Sequence, residues 1–290
     1  MTFNALGKSD YAHINQRLLT SANSRSPLVA VHRGQNAGSI VENTARAVRA
    51  AVVSGADIVE IDVIRSTDGE FFVFHNGFER TYFGLDRDIL TLSAAEIEAL
   101  QYEQYVAGRA EKYGLEQLQT ILRSFPDTIL NLDRSWNYWT DLLPYMDQFD
   151  CADRVFFKSP VSIKHLDVLA DHTVKYPYMP IVKTMDELKE VLRLRNINTV
   201  AVELVAENMD CDLASPEVVE LLHSHNLLVY LNALNLPNRV PLFVGWDDEV
   251  SVLDDPEKGW GRLIDHGADI VQTDWPMLLN RFMSNRTGSM

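Results

Sequence analysis

The sequence predicts an α/β protein in which eight parallel strands, each followed by a helix, close into a TIM (β/α)8 barrel. Three observations predict it: a length of 290 residues, eight short apolar runs bounded by turn residues, and amphipathic stretches between these runs. Strands that alternate with helices pair in parallel through right-handed crossovers, and eight such units form a barrel of about 250 residues. The predicted strands are Leu28–His32, Ile58–Ile64, Thr128–Asp133, Arg154–Lys158, Met179–Val182, Thr199–Glu203, Leu227–Leu231 and Asp269–Thr273.

Helix-start signals lie between the predicted strands. Thr184 and Glu187 have the spacing of a capping box, in which each side chain accepts a backbone N–H that the helix leaves unpaired. Ser215 precedes Pro216, an N-cap residue followed by the proline that suits the first helical position. An open, doubly wound sheet is the alternative architecture, but no Gly-x-Gly-x-x-Gly motif follows the first strand, which disfavours it.

Two segments are longer than a minimal barrel requires. We expect a β-hairpin and an insertion after the second strand, with Asn76–Glu111 as the insertion, and a long loop after the seventh strand, Ala233–Glu257. Loops this long within a compact domain tend to be lids or binding loops. No low-complexity tract separates the predicted units. We therefore expect residues 1–290 to form one domain, with the barrel core at about 28–284.

Composition excludes several classes of function. The chain has 26 Lys and Arg against 41 Asp and Glu, a formal net charge of −15, whereas a protein that binds nucleic acid normally carries a basic patch. Two cysteines, Cys151 and Cys211, are too few for a disulfide scaffold or a multi-thiolate metal site. No apolar run approaches the roughly 20 residues of a membrane helix, and no signal-peptide pattern opens the sequence. We expect a cytoplasmic protein without a transmembrane segment; its oligomeric state is not predicted.

The second predicted strand, Ile58–Ile64, carries two acidic residues. Because side chains alternate along a strand, Glu60 and Asp62 share one face, and the valines and isoleucines take the other. Two buried like charges are costly unless a cation neutralises them or one of them takes a proton. The functional sites of such barrels lie at the carboxyl ends of the strands, so a cation site is predicted. A salt bridge to a buried arginine or lysine is the alternative.

A hairpin is predicted to bring a histidine back to these acids. The segment Thr67–Glu70 contains Asp68 and Gly69, the dipeptide favoured in two-residue type I′ turns. A turn centred between them pairs Asp62 with His75. This geometry predicts that His75 lies beside the acidic pair.

Two further residues end neighbouring strands. His32 ends the first predicted strand and Asp133 ends the third, so both reach the rim that carries Glu60 and Asp62. Three carboxylates suit a hard divalent cation, Mg²⁺ or Ca²⁺, better than zinc, which prefers nitrogen and sulfur. The sequence therefore predicts one divalent cation at this rim.

With these residues in place, the sequence resembles the glycerophosphodiester phosphodiesterase family. The matching motifs are His32-Arg33-Gly34, Glu42-Asn43-Thr44, Gly55–Val63, Thr67-Asp68-Gly69, His75 and Gly267–Pro276. The resemblance implies a TIM barrel that hydrolyses a small-molecule phosphodiester. It also implies a divalent cation held by Glu60, Asp62 and Asp133, and acid–base catalysis by His32 and His75. The attacking oxygen, from water or from a neighbouring substrate hydroxyl, stays open.

The sequence departs from the family pattern around the substrate. The family's third-strand Glu-x-Lys motif is Asp133-Arg134-Ser135 here; Ser135 carries no positive charge, and Arg134 has the wrong strand parity. We therefore predict that Arg33, and Lys158 at the end of the fourth strand, bind the phosphate. The family usually has Asp where Asn76 stands.

The seventh strand also departs from the family pattern, and this leaves the substrate open. A lysophospholipid would require an apolar patch near the rim. A sugar phosphodiester of the agrocinopine type would require polar groups there, such as Glu203, Asn232 and Asn235. A barrel that binds a phosphodiester without cleaving it is the third alternative.

Overall fold

The computed structural model describes residues 2–102 and 113–288. Its strands are β1 (Leu28–Val31), β2 (Ile58–Arg65), β3 (Phe71–Val73), β4 (Ile129–Asp133), β5 (Val155–Pro160), β6 (Pro177–Val182), β7 (Asn198–Thr199), β8 (Ala201–Leu204), β9 (Leu228–Asn232) and β10 (Ile270–Thr273). Eight of them pair in parallel in the order β1, β2, β4, β5, β6, β8, β9 and β10, and β10 pairs with β1. The barrel is therefore closed, which confirms the predicted fold class.

Helices cover the outside of this barrel. They are α1 (Ala12–Ser24), α2 (Ala45–Val53), α3 (Glu79–Phe83), α4 (Ala94–Glu98), α5 (Leu118–Ser124), α6 (Trp139–Met146), α7 (Ile163–Asp171), α8 (Met185–Arg193), α9 (Pro216–Ser224), α10 (Asp248–Leu253), α11 (Arg262–His266) and α12 (Pro276–Gly288). Thr184 and Glu187 form the predicted capping box at α8. Pro216 begins α9, but Ser215 makes no side-chain cap to the helix. None of the helices in the described residues combines the length and hydropathy of a membrane span.

Strand alternation sorts the core into two layers. Outward-facing residues such as Val59 and Leu130 pack against the helices. Inward-facing residues at the strand starts, such as Ile58 and Ile270, form a separate apolar cluster that Leu18 of α1 closes from below. Further up the same strands the inward positions are polar. The barrel therefore has an apolar floor and a polar upper end.

The hairpin after β2 differs from the prediction by one residue. Asp62 lies opposite Phe74, whose N–H donates to the Asp62 carbonyl at 3.1 Å, and not opposite His75. The loop closes across Ser66–Glu70, where the first N–H donates to the last carbonyl at 2.9 Å, so it holds three residues. Gly69 takes φ +101°, the left-handed position that such loops place before the returning strand. The predicted two-residue turn is wrong.

Both predicted insertions lie near the upper end of the barrel. The first carries α3 and α4, whose Phe83 and Ile97 bury an apolar cluster of their own against Phe72 and Phe74 of the hairpin. Positions 103–111 of the predicted Asn76–Glu111 segment lie outside the described residues. The second insertion carries α10, and its Phe243 forms a bridge with Ala206, two residues after the end of β8.

Candidate active site

The carboxyl ends of the barrel strands open onto a cavity of about 600 Å³. Six of the seven predicted site residues line it: His32, Arg33, Asp62, His75, Asp133 and Lys158. The seventh, Glu60, is 1% exposed and lies one pleat further into the barrel. The structure thus brings all seven predicted residues together.

Three carboxylates form a compact cluster at one side of this cavity. Glu60, Asp62 and Asp133 each offer an oxygen, and these oxygens lie within 4.8 Å of one another. Strand register explains the cluster, because Asp62 of β2 pairs directly with Asp133 of β4. Asn43 orients Asp62: its amide donates to Oδ2 at 2.9 Å and its carbonyl accepts the Asp62 N–H at 2.8 Å.

With all of its acids ionised, the cluster carries more negative charge than the ion-paired cations around it neutralise. Arg33 and Lys158 form ion pairs with four carboxylates, those of Glu42, Asp62, Asp133 and Glu203. Among the described residues Glu60 has no ion pair, and Arg33 contacts it only through its backbone N–H. Burial, and then the charge of Asp62, raise the pKa of Glu60 to about 8. The backbone N–H of Arg33 donates to Oε2 of Glu60. Asn43 and the Arg33 guanidinium both contact Oδ2 of Asp62. Oxygen ligands with excess negative charge fit one hard divalent cation.

Arg33 joins the acids from the end of β1. It takes φ +51°, and its N–H donates to Glu60 Oε2 at 2.8 Å. Its Nε lies 3.2 Å from Asp62 Oδ2 and its Nη1 lies 2.9 Å from Glu42 Oε1. The salt-bridge alternative is therefore met in part, because Asp62 is paired with an arginine.

Lys158 pairs with the third acid. Its Nζ lies 2.8 Å from Asp133 Oδ2 and 3.2 Å from Glu203 Oε2. Burial opposes its charge, but Asp133 and Glu203 outweigh burial and raise the pKa of Lys158. The side chain is thus a buried cation held between two carboxylates.

The two histidines flank the cluster with opposite pKa shifts. His32 Nδ1 lies 3.0 Å from Asp274 Oδ1. Burial lowers the pKa of His32, but this hydrogen bond and the charge of Glu60 leave it raised. Burial chiefly lowers the pKa of His75. The His75 and Phe78 rings pack in a T-shaped arrangement with their centroids 5.1 Å apart.

The opposite side of the cavity carries an apolar wall beside polar side chains such as Glu207 and Asn238. Barrel order places β8 and β9 across from β2 and β4, and the second insertion extends that wall. Apolar residues that line this wall include Ile181 of β6, Val205, Leu234, Leu236 and Val240. Asn232 also faces this side, but its amide donates to Glu203 Oε1 at 2.6 Å.

Solved structures share this architecture with the chain. A glycerophosphoryl diester phosphodiesterase from Parabacteroides distasonis superposes with a TM-score of 0.70 at 17% identity, covering 98% of this chain and 95% of its own. A glycerophosphodiester phosphodiesterase from Thermotoga maritima gives 0.64 at 21% identity, with 89% and 99% covered. The chain has the fold of the glycerophosphodiester phosphodiesterases.

Further comparisons add three findings. A phosphodiesterase from Oleispira antarctica, in complex with the product sn-glycerol-3-phosphate, superposes with a TM-score of 0.63 at 19% identity, covering 91% of this chain and 99% of its own. The family model DUF4996, a domain of unknown function, matches residues 178–283. A sequence comparison with curated proteins gives no match.

Asp274 is a site residue that sequence reasoning missed. It directly follows β10, the strand that closes the barrel beside β1, and its carboxylate contacts His32. Its own N–H donates to Asp248 Oδ2 at 2.8 Å. Asp248 also accepts hydrogen bonds from Trp260 Nε1 and Thr273 Oγ1, each at 2.7 Å, and burial raises its pKa to about 7. The position of Asp274 after a strand, on the rim, was the signal available in the sequence.

Arg134 corrects a second interpretation. Strand parity predicts that its side chain points away from the cavity, but Arg134 lines the cavity. β4 ends at Asp133, and Arg134 takes φ +53°, so strand alternation no longer applies to it. Its Nε donates to Asn76 Oδ1 at 3.2 Å.

Proposed function

We propose that the chain is a metal-dependent phosphodiesterase that hydrolyses a glycerophosphodiester to sn-glycerol 3-phosphate and an alcohol. One observation carries the proposal: three carboxylates within 4.8 Å of one another share a cavity with two histidines. The fold of known glycerophosphodiester phosphodiesterases supports it. So does the product sn-glycerol-3-phosphate bound to the Oleispira antarctica neighbour.

Glu60, Asp62 and Asp133 would hold the cation, which we propose to be Mg²⁺ or Ca²⁺. When bound, such an ion would neutralise a non-bridging phosphate oxygen and stabilise the charge that develops in the transition state. Arg33 fixes the cluster, because its backbone N–H and its guanidinium contact two different acids. Lys158 fixes Asp133 in the same way. Both cations are also proposed to attract the phosphate.

The histidines supply the proton transfers in this proposal. His75, whose pKa is lowered chiefly by burial, is neutral and accepts the proton of the attacking oxygen. His32, whose pKa is raised by Asp274 against the effect of burial, donates a proton to the leaving alkoxide. General acid–base catalysis of this kind contributes about 10²- to 10⁴-fold to the rate.

The test is hydrolysis of glycerophosphocholine with Mg²⁺ or Ca²⁺ and after EDTA. We expect turnover to be lost with EDTA and in His32→Asn and His75→Asn, but kept in His225→Asn, which changes an exposed histidine. Activity that survives chelation, or that survives loss of both site histidines, would exclude this mechanism. Tight binding of the diester without turnover would instead favour a non-catalytic barrel.

A diester with an acyl chain on one side, a lysophospholipid, is the second candidate substrate. The apolar wall favours it, since Val240 remains 41% exposed there. The polar groups proposed for a sugar diester are engaged in part. The amide nitrogen of Asn232 donates to Glu203, and Asn235 Oδ1 accepts the N–H of Glu249 at 3.0 Å, whereas Asn232 Oδ1 has no hydrogen-bond partner among the described residues. Hydrolysis of a panel of both diesters distinguishes the two candidate substrates. If the apolar wall binds an acyl chain, Leu236→Asn should slow the hydrolysis of lysophosphatidylcholine and leave that of glycerophosphocholine unchanged.

We also propose that residues 1–290 form one domain, with the barrel core at 28–284. The contact of α1 with the barrel floor supports this extent.

A cytoplasmic location is also proposed. The thiols of Cys151 and Cys211 support it, because they are free and suit a reducing compartment.

A further inference from the structure

We propose that Arg134 binds the phosphoryl group of the substrate and that Asn76 positions its guanidinium. This inference rests on the proposed phosphodiesterase function, since it concerns the same cavity. It adds a phosphate ligand that neither strand parity nor the resemblance pointed to.

Charge pairing separates Arg134 from Arg33 and Lys158, two other cations that line the cavity. Arg33 is paired with Glu42 and Asp62. Lys158 is held between two carboxylates and is 4% exposed. Within residues 2–102 and 113–288, no carboxylate forms an ion pair with Arg134. An anion that enters the cavity therefore meets an arginine whose charge is still available.

The position of Arg134 places that charge beside the acids. Arg134 directly follows Asp133, whose Oδ1 accepts the Arg134 N–H at 2.6 Å. The positive charge of Arg134 contributes to the lowered pKa of His75, after the larger effect of burial. Lys183 also lines the cavity, but it follows β6, two strands further round the barrel. Arg134 is thus the cation closer to the proposed reaction.

The contact with Asn76 sets the orientation of the guanidinium. Nε donates to Asn76 Oδ1 at 3.2 Å, which leaves the two Nη groups to form a forked contact with two phosphate oxygens. An amide accepts this hydrogen bond without neutralising the arginine. A carboxylate at the same place would form an ion pair and compete with phosphate, so the neutral side chain of Asn76 matters to the proposal.

The experiment measures binding of inorganic phosphate by isothermal titration calorimetry in the presence of Mg²⁺, together with kcat and KM for glycerophosphocholine. We expect Arg134→Gln to raise the Kd for phosphate about 10- to 100-fold, the range for a charge-assisted contact. Arg134→Lys should restore part of the affinity, because it keeps the charge and loses the fork. Asn76→Asp should also weaken binding, and Asn76→Ala should weaken it less. Lys183→Gln is the matched control and should bind phosphate like the unmodified protein.

Each outcome is decisive. The role of Arg134 would be overturned if Arg134→Gln bound phosphate as tightly as the unmodified protein. It would also be overturned if Lys183→Gln lost as much phosphate affinity as Arg134→Gln. Failure of the unmodified protein to bind phosphate would overturn it as well. Phosphate binding that depends on Arg134, without hydrolysis of any diester, would instead overturn the proposed function alone. If Arg134→Gln does not fold, judged by its thermal unfolding, the Asn76→Asp and Arg134→Lys variants carry the test.

Discussion

The carboxylate of Asp274 sets both the orientation and the charge of His32. A carboxylate only accepts hydrogen bonds, so Nδ1 of His32 carries the hydrogen in their 3.0 Å contact, and Nε2 is left for proton transfer. Burial opposes protonation of His32, but the Asp274 contact leaves the pKa raised. Burial chiefly lowers the pKa of His75. Between these two pKa values one histidine is charged and the other neutral, as the proposed reaction requires.

Asp274→Asn should therefore move the alkaline limb of the pH–rate profile to lower pH. The proposed acid works while His32 is protonated, so the rate falls as pH rises through the His32 pKa. Removal of the Asp274 charge lowers that pKa, and kcat should fall by about 10-fold or more near neutral pH. The measurement is kcat/KM against pH, with Asp265→Asn, an exposed carboxylate, as control. An unchanged alkaline limb would contradict the assignment of His32 as the acid.

Cation binding also depends on single residues, because each proposed ligand is one carboxylate. Mg²⁺ or Ca²⁺ at 100 times its Kd should stabilise the protein by about 2.7 kcal/mol, a rise of several degrees in Tm. Asp62→Asn removes one proposed ligand and should abolish this rise. Scanning calorimetry of the unmodified protein and of Asp62→Asn, each with and without the cation, measures this rise in Tm. A similar rise in Asp62→Asn would place the cation elsewhere.

At the scale of elements, the second insertion holds the end of β10 in place. Asp248, the first residue of α10, accepts hydrogen bonds from Trp260, Thr273 and the backbone of Asp274. These contacts connect an insertion, a barrel strand and the residue that orients His32. The insertion therefore supports the site as well as forming the apolar wall.

Asp248→Ala should reduce the free energy of unfolding by about 2–4 kcal/mol. It leaves the buried donors of Trp260 and Thr273 without their partner, and each unsatisfied group costs about 1–3 kcal/mol. Because Asp274 loses its backbone anchor, kcat should also fall. Urea unfolding and kinetics measure both effects. Asp254→Ala, which breaks an exposed pair with Lys258, should change stability by less than about 1 kcal/mol and leave kcat unchanged.

Strand alternation and the shared rim of the strands were predicted well, whereas the hairpin register and the contacts of Asp274 were not. Alternation along β2 was enough to place Glu60 and Asp62 on the inner face. The hairpin register failed by one residue, because Asp-Gly suits both a two-residue turn and the three-residue loop that forms. The link from Asp248 through Asp274 to His32 arises only when β10 closes on β1, and no local spacing encodes it.

At the scale of the whole molecule, the two ends of the barrel have different tasks. The floor is apolar and is closed by α1, where Leu18 packs against strand-start residues such as Leu28 and Ile58. The upper end contains buried acids, cations and amides whose mutual contacts position the candidate site. This arrangement predicts that stability and activity respond to different substitutions.

Leu18→Ala tests this separation. Leu18 is 3% exposed, and its truncation leaves a cavity in the floor, so the free energy of unfolding should fall by about 2–4 kcal/mol. The contacts of the acids and histidines are at the other end of the strands, so kcat/KM should not change below the unfolding temperature. Leu19→Ala, at a partly buried neighbour on the same helix, should cost less. A loss of kcat/KM in folded Leu18→Ala would show that the floor and the site are coupled, and that the two ends of the barrel are not independent.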